Sequence, residues 1–122
     1  MNSCVISLSS NAEAEKNISL AKALLSEKFS DISFSAQIET SPFGSGYKAN
    51  FQNLAACFSC SESEEEINSL LKQLETRLGR TPELKAQKIV PVDLDIILWN
   101  QSVVRDDYYR FPFLLELINQ LR

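Results

Sequence analysis

Two aspartates, Asp93 and Asp95, are separated by a single residue inside the apolar segment 92–99. Because side chains alternate across a β-strand, both carboxylates are predicted to lie on one face, with Leu94 and Ile96 on the other. Two adjacent ionised carboxylates repel each other and are costly to desolvate. A divalent cation relieves both effects, and Mg²⁺ commonly binds one or two carboxylates together with substrate phosphates. The alternative is a carboxylate pair at a solvated strand end.

No histidine occurs in the chain, which excludes histidine-based acid–base catalysis, histidine-activated nucleophiles and histidine-ligated zinc. Cys57 and Cys60 have the CxxC spacing of zinc ligands, but no second pair exists to complete a tetrahedral site. With Cys4, the chain has three cysteines, and an odd number is typical of a reducing compartment. We expect the thiols of Cys57 and Cys60 to be buried and structural.

The overall composition narrows the classes of function further. With 122 residues, 44% of them apolar and 23% charged, the chain is expected to form one globular domain over residues 1–122. The net charge of -4 leaves no basic surplus to neutralise phosphates, which argues against non-specific nucleic-acid binding. Neither a membrane-spanning stretch nor a signal-peptide pattern is found, so we expect a cytoplasmic protein without a membrane partner. The sequence leaves the oligomeric state open.

The aspartates must be positioned by the elements around them, and four segments are predicted to be β-strands. Residues 3–8 and 32–39 alternate apolar and polar side chains, and residues 51–60 and 92–99 are the other two predicted strands. Between the second and third segments, residues 40–50 contain one proline and two glycines and are predicted to form a loop.

Two further segments have the apolar spacing of helices. The first covers about residues 12–29, and the polar residues 9–11 are suited to capping its N-terminus. At the start of the second, Ser63 and Glu66 match the pattern of a capping box. Gly79 is predicted to end that helix, because glycine adopts the left-handed conformation of a helix C-terminus.

A basic loop over residues 81–91 and a short helix over residues 113–121 complete the predicted elements. The order β-α-β-β-α-β predicts a ferredoxin-like α+β sandwich, in which two main helices pack on one face of an antiparallel sheet. This fold supports many unrelated functions, so the function must be argued from the site.

Five short motifs resemble those of the 6-hydroxymethyl-7,8-dihydropterin pyrophosphokinase family of the folate pathway, in the same order and with consistent spacing from about residue 5 to residue 100. The last motif is identical to that of the family. The five are Ser9-Ser10-Asn11, Thr40-Ser41-Pro42-Phe43-Gly44, Phe51-Gln52-Asn53, Glu75 through Gly79-Arg80, and Asp93-Leu94-Asp95-Ile96.

The resemblance implies transfer of a pyrophosphoryl group from ATP to the hydroxymethyl group of the pterin, with two Mg²⁺ ions held by the catalytic Asp93 and Asp95. Such a transfer depends on positioning and charge neutralisation more than on covalent chemistry, so it is compatible with a chain that lacks histidine. ATP and a pterin are the implied partners.

The resemblance also implies two sets of binding residues. Asn53 would pair with the pterin edge, which presents donors and acceptors, and Phe51 would stack on the ring, although Phe51 could instead be a core residue. The lysines of residues 81–91 could likewise be solvated surface charges. The pterin set is Thr40, Phe43, Phe51, Asn53 and Phe113. The nucleotide set is Glu75, Arg80, Lys85, Lys88, Ile96 and Arg110.

Several residues depart from the family pattern. Gln87 stands where the family has a loop tryptophan, Val90 stands where it has a second arginine, and its Pro-His element is absent. A valine lacks the planar fork with which arginine binds phosphate, and no lysine fully replaces that fork. The family usually continues beyond the position of Arg122, so we expect a trimmed member.

These departures leave two other interpretations open besides an active enzyme. The first is a weak or inactive pseudoenzyme that serves as a pterin-binding, nucleotide-binding or protein-interaction module. The second is a small regulatory ferredoxin-like domain unrelated to pterins.

Overall fold

The computed structural model of the chain describes residues 1–42 and 46–121, so the predicted pterin-binding Phe43 lies outside the described residues. The described residues form six strands and five helices. In order, they are β1 (Asn2–Ser10), α1 (Ala14–Lys28), β2 (Ser33–Phe34), β3 (Ile38–Thr40), β4 (Phe51–Cys60), α2 (Glu64–Arg77), α3 (Pro82–Ala86), β5 (Asp93–Trp99), β6 (Ser102–Val103), α4 (Asp107–Arg110) and α5 (Pro112–Asn119).

The strands form one antiparallel sheet in the order β2-β4-β1-β5-β6, and β3 also pairs with β4. Strand β1 is therefore central. In the pairing of β1 with β5, Ser7 lies opposite Asp95 and Ser9 lies opposite Asp93. This register puts the two aspartates next to two serines of the central strand.

Helices α1 and α2 pack on one face of the sheet, and the core lies between them and the strands. The structure thus confirms the predicted α+β ferredoxin-like sandwich with two main helices on one face. The buried contacts of this core include Ile6, Leu8, Ile18, Leu25, Leu54, Ala56, Ile67, Leu71, Leu94 and Ile96.

The opposite face of the sheet is covered in part by α5. Its residues Leu114, Leu117 and Ile118 pack with Ala55 of β4 and Ile97 of β5. Because the neighbours of the aspartates along β5 belong to the first core, the carboxylates lie on this second face, as the sequence predicts.

The predicted strand over residues 32–39 is divided in the structure into β2 and β3. Between them, the Ser35 N–H donates to the Ala55 carbonyl at 2.8 Å, and the Ser35 hydroxyl accepts from the Ala55 N–H at 2.8 Å. The ladder is interrupted because a side-chain oxygen replaces a backbone carbonyl as the acceptor.

The predicted N-terminal cap of α1 is wrong. The helix begins after Glu13, which has φ 44° and makes no side-chain capping bond. Asn11 instead joins the chain ahead of β5: its Oδ1 accepts from the Val90 N–H at 2.6 Å, and its own N–H donates to the Val90 carbonyl at 2.9 Å. The polar segment 9–11 therefore anchors a loop rather than a helix.

The predicted capping box of α2 is confirmed. The Ser63 hydroxyl accepts from the Glu66 N–H at 3.2 Å, and the Glu66 carboxylate accepts from the Ser63 N–H at 3.0 Å. Gly79, just past the helix, has φ 105°, as expected for a C-terminal glycine. The predicted loop 81–91 contains the short helix α3, which Thr81 caps by accepting from the Leu84 N–H.

The three cysteines are free thiols. Cys60 is buried, as predicted, and Cys4 is buried as well, whereas Cys57 is only half-buried, on the opposite face of β4 from Cys60. Burial raises the pKa of Cys4 to about 12. None of the helices in the described part of the chain has both the length and the apolar character needed to cross a membrane.

Candidate active site

A cavity of about 170 Å³ lies on the second face of the sheet, beside α5. It brings together six of the residues that the sequence marks as catalytic or pterin-binding: Thr40, Phe51, Asn53, Asp93, Asp95 and Phe113. We call it the aromatic cavity, because four rings line it. Those rings belong to Tyr47, Phe51, Phe111 and Phe113.

Asn53 is held in one orientation at the base of the aromatic cavity. The Ser9 hydroxyl donates to its Oδ1 at 2.7 Å, and its Nδ2 donates to the Thr40 hydroxyl at 2.6 Å. An amide oxygen has a second lone pair and an amide nitrogen a second N–H. Asn53, which is 6% exposed, can therefore offer one acceptor and one donor to a ligand.

The rings of the aromatic cavity form two pairs. Tyr47 meets Phe51 edge to face, with centroids 5.4 Å apart, and Phe111 lies tilted against Phe113 at 5.7 Å. All four rings are half-buried, so part of each ring is exposed and can contact a flat ligand.

Three cations surround the aspartate pair. Arg80 Nη1 lies 2.8 Å from Asp93 Oδ1, Lys72 Nζ lies 3.2 Å from Asp95 Oδ1, and Arg105 Nη1 lies 3.6 Å from the same Asp95 oxygen. Lys72 comes from α2, and Arg105 follows β6. The carboxylates are thus partly compensated by side chains of the protein itself.

Burial and the neighbouring charge of Asp93 raise the pKa of Asp95 to about 6, against the opposing charges of Lys72 and Arg105. Burial acts in the same direction on the pKa of Asp93, but the hydrogen bond and charge of Arg80 outweigh it and hold that pKa below its ordinary value. One carboxylate of the pair thus ionises readily, and the other resists ionisation because of its burial and its charged neighbour.

This donor set fits a magnesium ion. Two carboxylates on one strand face supply hard oxygen ligands, and a divalent cation would remove the repulsion that raises the pKa of Asp95. Mg²⁺ keeps an octahedral shell, so phosphate oxygens and water would supply the remaining ligands. Within residues 1–42 and 46–121, no group of three or more acidic or cysteine side chains is arranged to hold a metal ion.

Glu75 supports the strand that carries the aspartates. It is 5% exposed, and its Oε2 accepts from the Leu94 N–H at 2.7 Å. Its Oε1 lies 3.3 Å from Arg80 Nη1, and Lys72 donates to the Leu94 carbonyl at 2.9 Å. Burial raises the pKa of Glu75, although the bonds from Leu94 and Lys72 oppose the shift. Side chains of α2 thus take the place of a neighbouring strand along this edge of β5.

A second, more polar cavity of about 530 Å³ opens between α2 and β5. Asp95 lines both this polar cavity and the aromatic cavity, so the aspartate pair lies where the two meet. Ile96, a predicted nucleotide-binding residue, is also part of its lining. The other lining residues are Glu64, Glu65, Asn68, Ser69, Val104 and Arg105.

The remaining predicted cations lie elsewhere. Lys88 lines a third cavity, and its ammonium group lies 5.2 Å from the centroid of the Tyr47 ring. Lys85 is exposed on α3, and Arg110 is exposed with its guanidinium 5.3 Å from the Phe111 ring centroid. Among the described residues, no ion pair links any of the three to an aspartate of the pair.

Sequence reasoning did not identify Lys72 or Arg105. Lys72 lies three residues before Glu75, and side chains at this spacing are neighbours on a helix, so the predicted helix contained a signal for it. Arg105 gives no such signal, because its position depends on the turn that follows β6. Tyr47 is also unexpected, since it lies in a segment without periodicity.

The chain was compared with protein-family models and with curated proteins, and the first comparison finds a match. A family model described as 7,8-dihydro-6-hydroxymethylpterin-pyrophosphokinase (HPPK) matches residues 5–122, which is essentially the whole chain. A comparison with curated proteins finds no matching relative.

Proposed function

The chain belongs to the 7,8-dihydro-6-hydroxymethylpterin-pyrophosphokinase family, and from this premise we propose that it transfers the pyrophosphoryl group of ATP to 6-hydroxymethyl-7,8-dihydropterin, with slow turnover. The family acts on a pterin in folate biosynthesis, and its enzymes use ATP and Mg²⁺. This membership argues against the interpretation as a regulatory domain unrelated to pterins.

The observation that carries the proposal is the position of Asp95 between two unlike cavities. The aromatic cavity suits a flat heterocycle, and the polar cavity is about three times larger and suits a nucleotide. A transfer between two bound substrates needs their reacting groups side by side. Among the described residues, Asp95 is the lining residue that the two cavities share, and Asp93 lines the aromatic cavity beside it.

In the aromatic cavity, Asn53 would select the pterin. Its remaining donor and acceptor match the alternating donors and acceptors of a pterin edge, and Ser9 and Thr40 fix the orientation of the amide. The rings of Phe51 and Phe113 would contact the faces of the pterin.

Asp93 and Asp95 would hold magnesium. When bound, the ion supplies charge neutralisation for the phosphates. Arg80 would stabilise charge on the transferred group, because Glu75 and Asp93 both hold its Nη1, at 3.3 and 2.8 Å, beside the aspartate pair. A loose transition state at phosphorus places little demand on a base, which agrees with the absence of histidine.

The second candidate is a pseudoenzyme that binds pterin or nucleotide without turnover. It is favoured by Val90, which is 8% exposed at the position where the sequence resemblance expects an arginine. Gln87 is exposed nearby and offers no ring for stacking. In the described part of the chain, Lys85 and Lys88 form no ion pair with Asp93 or Asp95. These two lysines therefore do not replace the phosphate-binding charge of the missing arginine.

AMP release from ATP, Mg²⁺ and the hydroxymethyl pterin tests the proposal. We expect slow release by the wild-type protein and a loss of about a hundredfold or more in Asp95→Asn, because metal and electrostatic stabilisation dominates phosphoryl transfer. Asp106→Asn is the matched control, since Asp106 is exposed and outside both cavities, and it should keep wild-type turnover.

The same assay separates the two candidates. Pterin binding by calorimetry without any pterin-dependent AMP release would establish the pseudoenzyme. Equal AMP release by the wild type and Asp95→Asn would show that the aspartate pair does not support the reaction.

A further inference from the structure

Lys72 uses all three of its ammonium donors within the protein. Its Nζ lies 2.9 Å from Glu75 Oε2, 2.9 Å from the Leu94 carbonyl oxygen and 3.2 Å from Asp95 Oδ1. An ammonium group has three N–H donors, so each one has an acceptor. The side chain is nevertheless 43% exposed, so a ligand can reach it without opening the core.

We propose that Lys72 is the resident counter-cation of Asp95 and makes binding of a divalent cation at the aspartate pair conditional on a bound polyphosphate. This inference rests on the proposed function, because it takes the polar cavity as the nucleotide site. An ammonium group 3.2 Å from Asp95 Oδ1 repels any other cation that approaches this oxygen.

The charges around the pair explain why the polyphosphate is required. Ion pairs join four carboxylates to three cations, so the cluster carries one excess negative charge before any ligand arrives. A divalent cation alone would leave one excess positive charge, whereas a polyphosphate that accompanies it removes that excess. The seven side chains are Lys72, Glu75, Arg80, Asp93, Asp95, Arg105 and Asp107.

The position of Lys72 on α2 allows an exchange of partners. Asn68 and Ser69, one turn earlier on the same helix, line the polar cavity. A rotation about the side-chain bonds of Lys72 would therefore move its ammonium group from Asp95 towards a phosphate in that cavity, with no change in the helix. Glu75 would continue to hold the Leu94 N–H at 2.7 Å.

Binding of Mn²⁺ alone, followed by electron paramagnetic resonance, tests the proposal without any turnover. We expect weak binding to the wild type and binding about tenfold or more tighter to Lys72→Met and Lys72→Gln. Lys72→Arg keeps the charge and should resemble the wild type. Lys16→Met removes an exposed lysine of α1 and is the matched control.

A second measurement follows the phosphate. Affinity for the magnesium complex of a non-hydrolysable ATP analogue should fall about tenfold or more in Lys72→Gln, which keeps donors for the strand edge but has no charge to give the phosphate. Lys16→Met should bind the analogue as the wild type does.

Two results would overturn the inference. One is a folded Lys72→Gln protein that binds Mn²⁺ no more tightly than the wild type. The other is a wild-type protein that already binds Mn²⁺ as tightly without nucleotide as with it, a measurement that needs no variant. Failure of the proposed function is separate, because wild-type protein that releases no AMP could still show the gain in Mn²⁺ affinity.

Discussion

The amide of Asn53 shows how single residues define the aromatic cavity. Its two fixed hydrogen bonds, to Ser9 and Thr40, connect the central strand, β4 and β3 at one point. A hydroxyl group can rotate and can donate or accept a hydrogen bond. Here the Asn53 amide fixes these roles, because its oxygen accepts from Ser9 and its nitrogen donates to Thr40. The side chain therefore serves both the cavity and the sheet.

Asn53→Ala should weaken pterin binding by about 1–3 kcal/mol, because the partner groups on the pterin and the protein lose their hydrogen bonds. Because Asn53 is only 6% exposed, the loss of both bonds should also lower the melting temperature. Calorimetry with the pterin and a thermal melt measure the two effects.

Asn50→Ala is the comparison for this prediction, since Asn50 is exposed and donates to the exposed side chain of Glu39 at 2.8 Å. It should change neither pterin affinity nor melting temperature by much. An Asn53→Ala protein with normal pterin affinity would remove Asn53 from the binding site.

At the scale of elements, side-chain oxygens complete the edges of the sheet. Ser35 bonds the Ala55 N–H, Glu75 bonds the Leu94 N–H, and both oxygens of Asp31 accept from the Ser59 N–H at 3.0 and 3.2 Å. In each case, a side-chain oxygen accepts from a backbone N–H at a position where the neighbouring strand is short or missing. Side chains thus continue the hydrogen bonding of the sheet past the ends of its short strands.

The bonds from Ser59 lower the pKa of Asp31. A group whose pKa is lower in the folded state stabilises the fold above its unfolded pKa, about 3.9 for aspartate, and this contribution disappears as pH falls through the folded value. The stability difference between the wild type and Asp31→Asn should therefore be constant near neutral pH and shrink below about pH 4. Urea unfolding at several pH values measures it, and a difference independent of pH would contradict the assignment.

Ser63→Ala should destabilise the protein by about 1 kcal/mol, because the Glu66 N–H at the start of α2 loses its acceptor. Urea unfolding at neutral pH gives the value. Ser26→Ala, on the exposed side of α1, is a control that should have little effect. Equal stability of Ser63→Ala and the wild type would mean that the capping box contributes nothing.

The elements that follow from periodicity were predictable, and those that depend on distant partners were not. The strands 51–60 and 92–99 and the helix capped by Ser63 were found from local patterns. The interruption at Ser35 and the use of Asn11 by Val90 depend on contacts between segments far apart in the chain. Similarly, the Asp pair and Asn53 stood out as motifs, whereas Lys72 and Arg105 enter the site through the packing of α2 and the turn after β6.

At the scale of the whole molecule, the segment between α2 and β5 contains two of the departures from the family pattern, Gln87 and Val90. Val90 is buried, and Asn11 holds its backbone on both sides, so this residue ties the segment to the end of β1. An arginine here would have to leave the interior to reach a phosphate, because a buried unpaired charge is strongly unfavourable.

Val90→Arg combined with Gln87→Trp should raise turnover about tenfold or more if a phosphate-binding arginine is what the protein lacks. Because Val90 is buried, we also expect the double variant to have a lower melting temperature than the wild type. Gln87 is exposed, so its replacement by tryptophan should not lower the stability much. AMP release measured well below the melting temperature, with Gln87→Trp alone as the control, tests the pair. Rapid turnover of the unmodified protein with no gain from the pair would exclude the pseudoenzyme.

The central position of β1 also affects how the chain folds during synthesis. This strand precedes the others in the chain, yet its partners are β4 and β5, so it stays unpaired until residues 51–60 and then 93–99 have been made. At about 5–20 residues per second, the delay lasts seconds, during which an unpaired strand can associate with other nascent chains. Ser3, Ser7 and Ser9 make one face of β1 largely polar, with Val5 as its apolar member. We therefore expect the serines that border the aromatic cavity also to limit aggregation of the nascent chain.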